Sequence, residues 1–202
     1  MKRLLDVLVS LVGLIVLAPL FAIVAIAIKL DSSGPVFFVQ ERVGKGRKLF
    51  RAYKFRTMIQ GAANQGAGLF IEGQDDPRIT KVGRFLRRWS LDELPQIINI
   101  LKGEMSVVGP RPTLLYQVEQ YDEFQKKRLE VKPGITGWAQ IHGRNVLSWP
   151  ERIEYDVWYV DNWTFGLDVE IILKTLPVLL KREGLYADKE KFIITPRDDN
   201  SL

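Results

Sequence analysis

Asp92 and Glu93 are adjacent carboxylates in the stretch WSLDELPQ (89–96), one turn after Arg87 and Arg88 and just ahead of Pro95. Inside a helix two neighbours point about 100° apart, but at an irregular helix start they can converge on one ligand. Proline is tolerated only in the first turn of a helix, so Pro95 places such a start near Asp92. Carboxylates crowded among arginines are expected to stay ionised at neutral pH, which makes them poor proton-hungry bases but suitable metal ligands or nucleophiles. The chain has no cysteine and a single histidine, His142, which excludes disulfides, thiolate zinc sites and cysteine nucleophiles and argues against a Ser-His-Asp triad. His142 itself reads as a loop or core residue. The cation that fits such a pair is a hard, oxygen-preferring one, Mg²⁺. A blander assignment stands beside this one: Ser90 and Glu93 match the S-x-x-E capping box, in which the two side chains only close a helix start.

SVVGPRPT (106–113) supplies the complementary charge. Pro110 and Pro112 restrict the backbone around Arg111, and Gly109 lets the chain approach a ligand closely, so the guanidinium is set for bidentate phosphate contact. The formal charge of +5 points to an anionic partner, for which nucleic acid, acidic lipid headgroups and phosphorylated substrates all qualify. Carboxylates, a divalent cation and a prepared arginine together indicate phosphoryl chemistry.

The elements that must position these residues begin with a membrane segment. From Leu4 to Ile28 only Asp6 and Ser10 are polar, a run of about 25 residues that a straight helix would carry roughly 37 Å. Ala25-Ile26-Ala27 resembles a cleavage site, but the run exceeds the roughly 7–15 apolar residues of a signal peptide and a basic stretch follows it, so the segment is read as retained. Pro19 removes a backbone hydrogen bond and disfavours helical backbone at Ala18, which predicts a bend at Ala18-Pro19. Lys2 and Arg3 flank one end; Lys29 and the cluster from Arg42 to Arg56 flank the other, and such residues favour the cytoplasmic side. A bent, re-entrant helix satisfies both flanks and a spanning helix only one; the balance favours the re-entrant form and leaves a span open.

VFFVQERVG and KLFRAYKFRTM read as two short strands around the Gly44-Lys45-Gly46 turn, a β-hairpin close to the membrane. Residues 60–78 read as a polar surface loop. Val82, Phe85, Leu86 and Trp89 fall at helical spacing among Lys81, Arg84, Arg87 and Arg88, which describes either an amphipathic helix in a headgroup layer or a core-facing helix with a solvated back. Helices are also predicted over 96–102, over 113–130 with Leu114, Leu115, Val118, Tyr121 and Phe124 on one stripe, and over 167–182, where the apolar face is a second candidate for membrane contact. Lys132 to Asn145 reads as a turn-rich loop, and the aromatic-rich Trp149–Phe165 stretch offers surface for a homodimer. The fold class expected is α+β and mostly helical: residues 1–30 a membrane helix, residues 31–202 one membrane-surface domain.

KRLLDVLVSLVGLIVLAPL, YKFRTM, SLDELPQIINILKGEMSVVGPRP, KPGITGWAQIHGR and EYDVWYV together resemble the bacterial sugar transferases, the monotopic phosphoglycosyl transferases, in their minimal short form. The resemblance covers nearly the whole chain. It implies transfer of a sugar-1-phosphate from a UDP-sugar to undecaprenyl phosphate, releasing UMP, as the first membrane step of capsule, O-antigen, exopolysaccharide or glycoprotein glycan synthesis. It also implies a re-entrant helix broken at Ala18-Pro19, where many members carry serine instead of Ala18, and a place on the cytoplasmic face of a bacterial inner membrane containing anionic lipid. Carried over by motif, Asp92 is the nucleophile that forms an aspartyl-phosphosugar intermediate. Glu93 helps to hold Mg²⁺ with Asp92 and assists the lipid phosphate, while Arg87 and Arg111 bind phosphate oxygens. Lys54 and Arg56 line the same site or meet lipid headgroups.

Two other function classes fit parts of the chain. A membrane adaptor with basic surfaces would use Asp92-Glu93 as a helix cap. Nucleic-acid binding would use the basic stretch 42–56 with Phe50, Tyr53 and Phe55 as a stacking surface, but the adjoining membrane segment argues against it and no nucleic acid is expected as a partner.

Overall fold

The computed structural model of the chain describes residues 1–66, 68, 73 and 75–181. Helix α1 (Lys2–Asp31) leads to an antiparallel hairpin, β1 (Phe37–Val43) and β2 (Leu49–Phe55), then α2 (Lys81–Arg88). A 3₁₀ segment (Leu91–Gln96) runs straight into α3 (Ile97–Lys102), followed by β3 (Ser106–Val108), the short helices α4 (Leu115–Val118) and α5 (Glu123–Lys126), and β4 (Gly134–Thr136). The chain then forms α6 (Trp138–Ile141), α7 (Trp149–Asp161) and α8 (Phe165–Lys181). The architecture is α+β and mostly helical, as the sequence predicts, with the hairpin paired from Phe37↔Phe55 to Val43↔Leu49.

Helix α1 is continuous through Pro19, so the proline does not end it. By length and composition it could cross a membrane, with a mean hydropathy of 3.0 in its most apolar 18-residue window. Its two internal polar residues face the protein. Buried Asp6 accepts hydrogen bonds from Ser106 Oγ and the Val107 amide, both at 2.9 Å, and buried Ser10 donates to the Asp6 carbonyl. At the N-terminal end Lys2 pairs with Asp168 at 2.6 Å, and Arg3 donates to the carbonyls of Ile100 and Leu101 at the end of α3. Further on, Gly13 lies against Ile97, and Leu20, Phe21, Val24 and Ile28 pack with Phe55 and Leu86. At the far end Asp31 accepts from the Val82 amide at 2.8 Å, in the first turn of α2. One face of α1 is therefore held by the rest of the protein from end to end, while Leu4, Leu8, Leu11, Val12, Ile15, Val16, Ile23, Ile26 and Leu30 make an exposed apolar face opposite.

Two expectations change. The stripe predicted as one helix over 113–130 is split into α4 and α5, because Asp122 and Gln125 bond each other's backbone amides and start a new helix. The Lys132–Asn145 loop contains β4, which pairs in parallel with β3, and then α6. The α2 stripe also divides: Leu86 is buried and Val82 packs beside it, whereas Phe85 is 57% exposed beside Lys81, Arg84 and Arg88. α7 buries Trp149, Ile153, Val157 and Tyr159, leaving Trp158 outward, with exposed Trp163 just beyond the helix.

Candidate active site

The β3–β4 pair brings two glycine-rich motifs into backbone contact. A Cβ at Gly109 would lie 2.3 Å from the Lys132 carbonyl oxygen, and one at Gly134 would lie 2.1 Å from the Gly109 amide nitrogen. Gly109 thus allows close approach of another strand, where its sequence context suggests approach of a ligand. This packing anchors the Pro110-Arg111-Pro112 turn. The hairpin reaches the same place by its two-residue period: Phe50 and Ala52 enter the core around Ile100, and Lys54 is the next residue on that side.

The acid pair comes from the 3₁₀ segment. Ser90, just before it, has φ 55°, a left-handed conformation uncommon for a residue with a side chain. Its hydroxyl makes no cap; it accepts a hydrogen bond from Arg144 Nη2 at 2.8 Å. Glu93, the other half of the supposed capping box, is bound instead by cations. Its Oε1 accepts from Lys54 Nζ at 2.6 Å and Arg111 Nη2 at 2.5 Å, and its Oε2 accepts from Arg111 Nη1 at 2.9 Å. Arg111 is thus bidentate, toward a carboxylate of its own chain. Ser90→Gly frees the strained backbone, worth about 1 kcal/mol, but leaves Arg144 Nη2 without its acceptor, about 1.5–3 kcal/mol for a bond to a charged group, so thermal stability is expected to fall by about 1 kcal/mol. Thermal unfolding of the two proteins in the same detergent gives the sign.

The two carboxylates are not equivalent. Burial alone would raise the proton affinity of Glu93, but Arg111 and Lys54 overcome it and hold this carboxyl well below the usual carboxylate range. Asp92 is pushed the other way, first by burial and then by the Glu93 charge, against the pull of Lys54, Arg87 and Arg111. Glu93 is thus the stronger acid of the pair and Asp92 the weaker. Among the described residues, no hydrogen bond is formed to the Asp92 side chain, so its carboxylate is left for something other than the fold.

Of the other residues picked from sequence, Arg87 contributes positive charge near Asp92 and donates through Nε to Thr57 Oγ1 at 2.8 Å. Arg56 goes elsewhere: its guanidinium is bound to the Ser32 and Ser33 carbonyls, where α1 ends. Lys54 and Arg56, which the sequence leaves undivided, are therefore separated, with Lys54 alone on the acid pair. Three further arginines close in on Arg111. Arg42 is lowered to about 10 by burial and by Arg111, against Glu93 and Tyr116. Arg144 lies beside the acid pair through Ser90, and buried Arg128 bonds both Asp156 and the Arg111 carbonyl. Arg128 and Arg144 carry no sequence signal because a single arginine in a short 3₁₀ turn has no period, and Arg42 reads only as part of the basic flank; Gly143 beside Arg144 is a turn signal of the kind that Gly109 gives near Arg111. His142 is a loop-edge residue, stacked on Tyr155 and donating through Nδ1 to the Trp138 carbonyl at 2.8 Å at the end of α6.

No group of three or more metal-ligating side chains is present among the described residues. The donor set fits a hard divalent cation at Asp92 rather than at Glu93. Asp92 offers an unbonded carboxylate, and Mg²⁺ commonly takes one or two carboxylates with substrate phosphates completing its shell. Both Glu93 oxygens are already taken by Lys54 and Arg111.

A family model described as bacterial sugar transferase matches residues 1–182. The uncharacterized sugar transferase EpsL of Bacillus subtilis is 51% identical over 166 residues, which cover 82% of this chain and 79% of EpsL. The exopolysaccharide production protein ExoY of Sinorhizobium fredii is 40% identical over 198 residues, covering 92% and 88%. The undecaprenyl-phosphate galactose phosphotransferase of Salmonella typhimurium is also 40% identical, over 199 residues, but the match covers 92% of this chain and only 42% of that enzyme.

Proposed function

Because the chain belongs to the bacterial sugar transferase family, we propose that it transfers a sugar-1-phosphate from a UDP-sugar to undecaprenyl phosphate and releases UMP, as an early membrane step of glycan synthesis. The observation that carries this is the division of labour in the acid pair: Glu93 is locked between Lys54 and Arg111, and Asp92 is half-buried beside it with a carboxylate the fold does not use. Such a carboxylate is a nucleophile in waiting, set among cations that neutralise phosphate charge.

In the proposed route an Asp92 carboxylate oxygen attacks the β-phosphorus of the donor. The bond from that phosphorus to the bridging oxygen breaks, and UMP leaves with the bridging oxygen. A phosphate oxygen of undecaprenyl phosphate then attacks the same phosphorus, displacing the Asp92 carboxylate and forming the lipid diphospho-sugar. Arg111, Lys54 and Arg87 orient the phosphate oxygens, and Glu93 keeps Arg111 and Lys54 in place between turnovers. Mg²⁺, held by Asp92 with the diphosphate, would supply charge neutralisation.

The same proposal places α1 in one leaflet of the inner membrane as a re-entrant segment, with the site on the cytoplasmic side. Attachment of both ends of α1 to one body supports this over a span, and its outer apolar face is the part left for lipid. A pairing of two copies through the surface of Trp158 and Trp163 belongs to the same proposal.

The test is UMP release by the protein in nanodiscs from a panel of UDP-sugars with undecaprenyl phosphate and Mg²⁺. One sugar is expected to give UMP and a lipid-linked product, both abolished by EDTA. No release with any UDP-sugar, from protein shown to be folded, would refute the assignment.

A further inference from the structure

Thr57, in the chain just after β2, is fixed from three sides. Before it, the Arg56 guanidinium bonds the Ser32 and Ser33 carbonyls at the end of α1. After it, Met58 pairs with Ile79 in an antiparallel bridge, and the Thr57 carbonyl itself accepts from the Thr80 amide at 3.1 Å. The first turn of α2 then lies directly on it. A Cβ at Gly83 would come within 2.0 Å of the Thr57 carbonyl oxygen, so only glycine lets the helix sit this close. Thr57 is accordingly 6% exposed.

Arg87 follows Gly83 by one helical turn and so stands on the same side of α2. There its Nε donates to Thr57 Oγ1 at 2.8 Å. A bond at Nε fixes the plane of a guanidinium and leaves the outer edge, Nη1 and Nη2, for another partner. Among the described residues, neither Nη atom of Arg87 has a hydrogen-bond or ion-pair partner. The acceptor is also uncharged. Arg111, by contrast, is oriented by Glu93, whose carboxylate takes both of its Nη atoms and offsets its charge. Thr57 orients Arg87 and leaves its charge whole, and that charge reaches Asp92, whose carboxyl it draws toward the ionised form.

Resting on the transferase proposal, we propose that Thr57 is a positioning residue for Arg87: its hydroxyl, bonded at Nε, aims the free Nη edge at the phosphoryl group that Asp92 attacks. The gain is in orientation, since a guanidinium on a flexible stem must otherwise give up rotamer freedom when a phosphate binds. Valine in place of Thr57 keeps the shape of the side chain and frees the guanidinium to swing. Serine keeps the bond.

The test compares the native protein with Thr57→Val, Thr57→Ser, Arg87→Ala and the double variant of Thr57→Val with Arg87→Ala, in nanodiscs, each checked by thermal unfolding. Thr57→Ala also removes the hydroxyl and takes the place of Thr57→Val if the valine variant does not fold. The probe is inorganic pyrophosphate with Mg²⁺, its binding measured by calorimetry. Arg87→Ala should weaken pyrophosphate by about tenfold or more and Thr57→Val by about threefold or more, while Thr57→Ser stays within about twofold of native. In the Arg87→Ala background, Thr57→Val should change binding by less than about twofold, because the hydroxyl then has nothing to aim. The inference is overturned if the native protein binds no pyrophosphate, if Thr57→Val binds it as the native chain does, or if Thr57→Ser is as weak as Thr57→Val. It is equally overturned if Thr57→Val costs the same factor with and without Arg87, as a merely structural role would give. UMP release from UDP-sugars, measured in parallel, keeps the two proposals apart. Binding that follows the expected pattern without turnover removes only the transferase assignment, while turnover with any of the overturning results removes only the role of Thr57.

Discussion

Asp92→Asn is expected to lower UMP release by about a thousandfold or more while leaving the protein at least as stable as the native chain. The two effects have one origin. Burial and Glu93 raise the proton affinity of Asp92 in the folded state, so at neutral pH its ionised form costs stability relative to the unfolded chain. A neutral amide of the same shape removes that cost, breaks no hydrogen bond of the fold, and cannot form an acyl phosphate. Glu93→Gln should behave differently. It removes the charge that Lys54 and Arg111 share, leaving two cations crowded together, so the thermal midpoint should fall along with activity. Unfolding curves beside UMP release decide the matter. If Asp92→Asn releases UMP at near-native rate, Asp92 is not the nucleophile and a direct transfer between donor and acceptor takes its place. Activity of the native protein should also decline on the acidic side at a higher pH than an ordinary aspartate would give, because Asp92 must lose its proton to attack.

Much of this arrangement is legible in the residues themselves. The apolar run of α1, the aromatic and β-branched hairpin and the 3.6-residue period of α2 and α8 each report a whole element, since each depends on a pattern repeated over several residues. The acid pair is found by its oddity, two carboxylates inside a basic chain. What escapes is whatever depends on contacts distant in sequence. The three-residue strands β3 and β4 are too short to show alternation, and only their pairing explains why Gly109, Gly134 and Gly137 are glycines. Likewise the roles of Asp6 and Ser10 in α1 cannot be inferred without β3, against which Asp6 is buried. The capping-box match at Ser90 fails for a related reason. Local pattern offers Glu93 to a backbone amide, whereas the tertiary fold offers it a lysine and an arginine, and charge-assisted bonds are the stronger.

Asp156→Ala is expected to lower stability by about 3–5 kcal/mol, or Tm by about 6–20 °C. Asp156 and Arg128 form a buried ion pair at 2.5 Å with side chains 2% and 3% exposed, and the Tyr121 hydroxyl accepts a hydrogen bond from Arg128 Nη1 at 2.6 Å. Removing the acid leaves Arg128 buried without its counter-charge and close to Arg111 and Arg152, which are themselves cations. Removing both charges tests the cause: Arg128→Leu with Asp156→Leu should recover much of the lost stability, since no buried charge is then unpaired. It should not recover UMP release. Arg128 Nη2 also donates to the Arg111 carbonyl at 2.9 Å, and that bond helps to fix the turn from which Arg111 reaches Glu93. A stable double variant with low activity would show the ion pair positioning Arg111. A double variant as unstable as Asp156→Ala would mean that shape, not charge, makes this pair indispensable.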